Sequence, residues 1–160
     1  MITSQQGIDL IKSFESCRLT AYNDGANIWT IGWGATTYQD GKKVRPGDIV
    51  TQDQADDLFL WHLKSKEAVV NKLLTGLRQF EYDAYTSFVY NTGGYYRGKA
   101  GIFHPYNIIS FKVFGRSNQF IYTNWLNTAV TAGGVKMNGL VKRRLSEAEM
   151  FLNGKLILHT

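Results

Sequence analysis

The chain carries one compact hairpin signal, Asn23-Asp24-Gly25-Ala26-Asn27, between the β-rich runs Arg18–Tyr22 and Ile28–Trp33. It constrains the fold more than any other feature. Asn, Asp and Gly tolerate left-handed backbone, so this segment turns the chain at little cost. The residues before and after are mostly helical in period, so the pattern reads as an α+β protein with one small antiparallel sheet near its start. Alternation along the second run puts Ile28, Thr30 and Gly32 on one face and Trp29, Ile31 and Trp33 on the other.

The helical segments have recognisable punctuation. Residues 4–16 place Ile8, Ile11 and Phe14 at helical spacing with Glu15 in the last turn. Thr51-Gln-Asp-Gln54 has the form of a capping box and opens a long helix through Leu58, Val70 and Leu74 that Gly76 stops. Another helix runs over about 79–91 and ends at Gly93-Gly94, where positive φ suits a helix C-terminus. Residues 95–105, with Gly98 and Gly101, read as loop. Shorter helices are expected over about 106–114 and 117–129, and a last one over about 138–153 closes at Asn153-Gly154.

With 160 residues, 44% of them hydrophobic, the chain can bury a core of one domain. No apolar run approaches the roughly 18 residues of a membrane span, so stable membrane insertion is not expected. The N-terminal residues lack the basic-then-apolar order of a secretory signal, which implies synthesis in the cytoplasm. Cys17 stands alone and reads as a structural thiol rather than a nucleophile, since no His lies near it in sequence. His62, His104 and His159 are too scattered for a metal site, and no cofactor is expected. A net charge of +5 implies attraction to polyanions: nucleic acid, anionic lipid or an acidic cell wall. No nucleic-acid-binding motif accompanies it, so that partner rests on charge alone.

Chemistry concentrates near the hairpin. Cleaving a glycosidic bond takes a protonated acid for the leaving oxygen and a carboxylate that supports the ring cation or activates a nucleophile. Glu15, beside Phe14, Tyr22 and Trp29 and close to a negative helix end, is placed to stay protonated. Asp24, in a solvated turn, is placed to stay ionised. Thr30 can hold a water against Asp24, which suits direct attack by water with inversion and carboxyl groups roughly 6.5–9.5 Å apart. Each residue also has a plainer reading: a solvated helix-end Glu, a turn-forming Asp, a β-forming Thr. Asp53, Asp56 and Asp57 follow the Thr51 cap and read as structural partners of the helix dipole. Trp61 and Trp125 read as packing residues. Arg143 and Arg144 form either a solvated basic helix face or a pair from which one reaches Glu15 or a substrate carboxylate.

The spacing of Glu15, Asp24 and Thr30 inside FESCRLTAYNDGANIWTIGWGATT resembles the catalytic signature of the phage-type lysozymes. VRPGDIVTQDQADDLF resembles that family's approach to its long helix, FEYDAYTSFVYNTGG its central helix and GLVKRRLSEAEMFLNGK its C-terminal helix. Ala35 stands where many members carry His, and Tyr106–Arg116 departs from the usual run. The resemblance implies an endolysin muramidase that hydrolyses the β-1,4 bond between N-acetylmuramic acid and N-acetylglucosamine. In it Glu15 would be the general acid, Asp24 the second carboxylate and Thr30 the water-positioning residue, with Tyr90 and Asn91 as sugar contacts. It also implies a small lobe over about 17–50, a helical lobe over about 51–160 that takes in the N-terminal helix 4–16, and a cleft between. The partner would be a peptidoglycan glycan strand, met by a monomer released through a holin lesion. A wall-binding protein without turnover is the competing class, against which an intact Glu15, Asp24 and Thr30 argues.

Overall fold

The computed structural model describes residues 1–24, 27–97 and 103–159. Two compact units divide the chain: Glu15–Ser65, and Met1–Phe14 with Lys66–Thr160. Among the described residues there are six helices and three two-stranded antiparallel sheets. The α+β class is as expected, but the single sheet is not.

In the smaller unit, β1 (Arg18–Asn23) pairs with β2 (Trp29–Gly32), setting Tyr22 opposite Thr30 and Asn23 opposite Trp29. The register shifts before Arg18 meets Gly32, an irregularity of the kind that bends a strand. Ala21, Ile31, Ala35, Val44 and Leu58 form the core here, with Trp29, Tyr38 and Val50 packed on it. β2 stops at Gly32 instead of continuing to Trp33. Ile31 and Ala35 exchange two backbone hydrogen bonds of 2.9 Å, which closes Gly32-Trp33-Gly34 into a turn. Gly32 has φ +59°, and a Cβ there would stand 3.2 Å from the Cβ of Ala55 on helix α2 (Gln52–Leu73). The glycine therefore serves both the turn and the close approach of the helix. Trp33 at the turn donates its indole N–H to Asp56 Oδ1 at 2.6 Å. The capping box of α2 forms as read: the Thr51 amide donates to Gln54 Oε1 at 2.9 Å, and the Gln54 amide donates to Thr51 Oγ1 at 3.2 Å.

The larger unit is organised on α3 (Gln79–Thr92), in which every residue from Glu81 to Val89 is buried. A helix covered on all sides must satisfy its polar side chains internally, and the neighbours do this. α1 (Gln5–Ser13) packs against α3, and the Ser4 amide and hydroxyl both donate to the Asp83 carboxylate. α4 (Asn107–Val113), α5 (Asn118–Trp125) and α6 (Asn138–Asn153) complete a core that includes Leu10, Tyr85, Phe88, Ile108, Trp125 and Phe151. Trp125 is buried as expected, whereas Trp61 on α2 is exposed and meets His62 edge-on.

Four expectations are corrected. Within the stretch expected as loop over 95–105, β3 (Tyr95–Arg97) and β4 (Phe103–Pro105) pair as a hairpin. A second unexpected hairpin joins β5 (Thr131–Ala132) and β6 (Val135–Lys136) through Gly133 and Gly134, at φ +57° and +80°. The helix expected to reach 129 ends at Trp125. α1 ends at Ser13 with Phe14 as its C-cap, so Glu15 lies just beyond the helix and not in its last turn.

Glu81 fastens α3 to α4 and α5. Its carboxylate accepts from the Arg78 amide at 2.9 Å, Lys112 Nζ at 2.9 Å and Asn118 Nδ2 at 3.0 Å. Burial pushes this carboxyl up, but the Arg78 amide, Lys112 and the Arg78 guanidinium outweigh it and hold the pKa at about 2. A depressed carboxyl stabilises the fold fully above its ordinary pKa and loses that contribution as pH falls toward the folded value. Thermal melts of the wild type should therefore lose stability between the ordinary carboxylate range and about pH 2. Melts of Glu81→Gln should start lower and vary less across that window; equal pH slopes would refute the assignment.

Candidate active site

Glu15, Asp24 and Thr30 all belong to the smaller unit. Glu15 follows the Phe14 cap, whose amide donates to Ile11 O at 3.1 Å, and is half-buried. Asp24 is exposed at the end of the hairpin. The backbone of Ile28 anchors both Asp24 and Thr30. Its amide donates to Asp24 Oδ1 at 3.1 Å, and its carbonyl accepts from the Asp24 amide at 3.1 Å and the Thr30 hydroxyl at 3.4 Å. Gly25 and Ala26 of the turn lie outside the described residues.

Register determines which way these side chains face. Tyr22 opposes Thr30, and Asp24 is hydrogen-bonded across to Ile28, so two-residue alternation puts Tyr22, Asp24, Ile28 and Thr30 on one face. Ala21, Trp29 and Ile31 take the other face and form the small core. Thr30 is only 5% exposed although it lies outside that core cluster. Its hydroxyl proton is directed at Ile28 O, which leaves its oxygen lone pairs to accept a hydrogen bond. The arrangement brings together an exposed carboxylate and a sheltered acceptor on one strand face, with a half-buried carboxyl three residues before β1.

Tyr90 and Asn91 lie in the last turn of α3 in the other unit. Tyr90 is half-buried and Asn91 exposed. Asn91 Oδ1 accepts from Arg144 Nη2 at 3.1 Å, so this side chain is oriented from α6. Among the described residues, no group of three or more His, Cys, Asp and Glu side chains converges to hold a metal ion.

The chain matches the phage lysozyme family over residues 12–147, a span that holds all of these side chains. It belongs to the phage lysozyme family. It is 31% identical to an endolysin of Acyrthosiphon pisum secondary endosymbiont phage 1, over 94% of this chain and 98% of the relative. An endolysin of Bacillus phage B103 is 34% identical over 97% of this chain, which spans 56% of that longer protein. Among solved structures, an endolysin from Escherichia coli O157:H7 phage FAHEc1 superimposes with a TM-score of 0.82 at 33% identity, covering 98% of this chain and 97% of the other. As a phage lysozyme, the chain is a glycoside hydrolase acting on peptidoglycan.

In this lysozyme, Arg143 and Arg144 are not a solvated basic face. They are 3% and 0% exposed, and both reach Glu147, which is itself fully buried. Glu147 Oε1 accepts from Arg143 Nε at 3.2 Å, Arg144 Nη2 at 2.9 Å and Ser87 Oγ at 2.8 Å; its Oε2 accepts from Trp125 Nε1 at 3.1 Å. Spacings of three and four residues from Arg144 and Arg143 to Glu147 carry the signal, because they place all three on one helix face. Removing one partner of a buried ion pair leaves the other uncompensated, at a cost of about 3–5 kcal/mol. Glu147→Gln should therefore lower the melting temperature by roughly 10 °C. A shift under about 2 °C in calorimetry would show that the two guanidinium groups do not depend on this carboxylate.

Proposed function

We propose that this lysozyme hydrolyses the β-1,4 bond between N-acetylmuramic acid and N-acetylglucosamine as a monomer, with Glu15, Asp24 and Thr30 as its catalytic residues. Glu15 donates its proton to the leaving glycosidic oxygen. A water accepted between Asp24 and Thr30 gives one proton to the Asp24 carboxylate, directs the other at the Thr30 oxygen, and attacks the anomeric carbon from the opposite face. One C–O bond breaks as another forms, and the anomeric configuration inverts. The observation that carries this reading is the shared Ile28 anchor, which ties Asp24 and Thr30 to the two polar groups of one residue on one strand face. The contrast between half-buried Glu15 and exposed Asp24 supports the division of roles. Tyr90 and Asn91 are proposed as sugar contacts, through ring stacking and amide hydrogen bonds.

Glu15→Gln keeps the shape but removes the proton, and should slow clearing of a peptidoglycan suspension by roughly 100-fold or more. Asp24→Asn retains an Oδ1 that can accept from the Ile28 amide, so the hairpin should fold while turnover falls. Thr30→Ser should keep more activity than Thr30→Val. If Glu15→Gln clears walls at the wild-type rate, the assignment is wrong, and product sugars of retained configuration would replace water attack with attack by Asp24.

Synthesis in the cytoplasm and release through a holin lesion complete the proposal. Expression with a co-expressed holin should lyse the host, and expression alone should not; lysis in both cases would remove the holin step.

A further inference from the structure

The charge of this chain is unevenly distributed. Between Asp83 and Glu147 the sequence has no Asp or Glu over 63 residues, yet eight of its 18 Lys and Arg fall there. The other ten bases share the remainder with all 13 acids, so that remainder is net acidic and the acid-free span carries the whole positive balance. Three of the eight are spent internally: Arg143 and Arg144 on Glu147, and Lys112 on Glu81. Arg97, Arg116, Lys136 and Lys142 are exposed.

The turn that joins α4 to α5 lies inside this span and presents apolar side chains to solvent. Phe114 is 77% exposed, Val113 60% and Phe120 44%. Single exposed apolar residues are ordinary, but a cluster with cations and without carboxylates is not. The turn is also rigidly built. Gly115 at φ +68° caps α4, with the Gly115 amide donating to Lys112 O at 3.1 Å and the Arg116 amide to Phe111 O at 2.9 Å. This is the paired closure of a Schellman motif, so the apolar tip is held out by a satisfied backbone rather than by fraying. The Arg116 guanidinium lies 5.7 Å from the Phe120 ring centre, and Phe120 packs against Phe111 at 5.0 Å. Beside the tip, exposed Lys72 lines a shallow depression of about 280 Å³ together with Val113 and Phe114. The carboxylate that α4 touches, Glu81, is buried and already paired.

We propose that the α4–α5 turn docks this lysozyme on an anionic lipid surface, with Val113, Phe114 and Phe120 entering the interface and Lys72 and Arg116 meeting phospholipid headgroups. Cations near an anionic leaflet each strengthen binding, and aromatic rings settle at the headgroup boundary. A nucleic acid or an anionic wall polymer would use the cations but would gain little from Val113 and Phe114, which favours the bilayer. Docking of this kind is peripheral and does not rest on the assigned catalytic residues.

The test is sedimentation of the full chain with vesicles of phosphatidylcholine containing about one third phosphatidylglycerol, and with phosphatidylcholine alone. Wild type should sediment with the first and not the second. Val113→Ser with Phe114→Ser should lower partitioning by roughly tenfold or more. Arg116→Glu, which leaves the apolar tip in place, should lower it by more than fivefold and weaken with added salt. Clearing of purified sacculi, from which lipid has been removed, should be unchanged in these variants, which also confirms that they fold. Equal sedimentation with both vesicles overturns the proposal, as does a serine double variant that partitions like wild type. Loss on Arg116→Glu alone, with matching loss of binding to a soluble polyanion, would assign the turn to polyanions and overturn lipid docking.

Discussion

The larger unit depends on one buried carboxylate. Glu147 on α6 accepts from Ser87 on α3 and from Trp125 on α5, and pairs with both arginines of its own helix. Taking a carboxylate and two guanidinium groups out of water is expensive, and the attraction between them offsets that cost only where geometry and further hydrogen bonds are good. Two arginines against one glutamate leave a surplus of positive charge to be shared with other acceptors. Arg143 Nη2 donates to Ser87 O at 3.3 Å, Arg144 Nη2 donates to Asn91 Oδ1, and the Arg144 guanidinium lies 4.8 Å from the Phe88 ring centre. The cluster thus orients the Asn91 amide in the last turn of α3. An apolar core of the same volume would hold the helices together, but it would not orient Asn91.

The smaller unit solves a different problem, which is to hold polar chemistry on a two-stranded sheet. Isolated hairpins are marginal in water and need packing against a helix. Here the Gly32-Trp33-Gly34 turn provides it, because the absent side chain at Gly32 lets Ala55 approach while Trp33 reaches Asp56. With one sheet face fixed on its core, the opposite face carries Asp24 and Thr30 in a set relation through Ile28.

Much of this was legible in the sequence where a local rule and the tertiary structure agree. The helix over 138–153 ends at its glycine, and the Thr51 capping box closes with both reciprocal bonds, because period and cap chemistry act within a few residues. The hairpin at 95–105 was not legible, since each strand has three residues, too few for alternation to register, and glycines lie between them. Gly133-Gly134 between Thr131-Ala132 and Val135-Lys136 did carry a signal for a tight hairpin, of the kind that needs positive φ at both central positions. Arg143 and Arg144 misled because charge reads as exposure until a buried partner is known, and burial comes from α3 and α5, far away in sequence.

Asp24 shows why the plain and the functional readings of a residue need not compete. Its carboxylate does form the turn, through Oδ1 and the Ile28 amide, as an Asp in that position commonly does. A turn-forming aspartate is also held in one rotamer, with its direction set by the strand register rather than by solvent. Catalytic groups need that kind of restraint, since a misplacement of about 1 Å can cost 100-fold in rate. In this chain the hairpin supplies that restraint to Asp24, so under the proposed mechanism the same hydrogen bond that closes the sheet would also aim the proposed base.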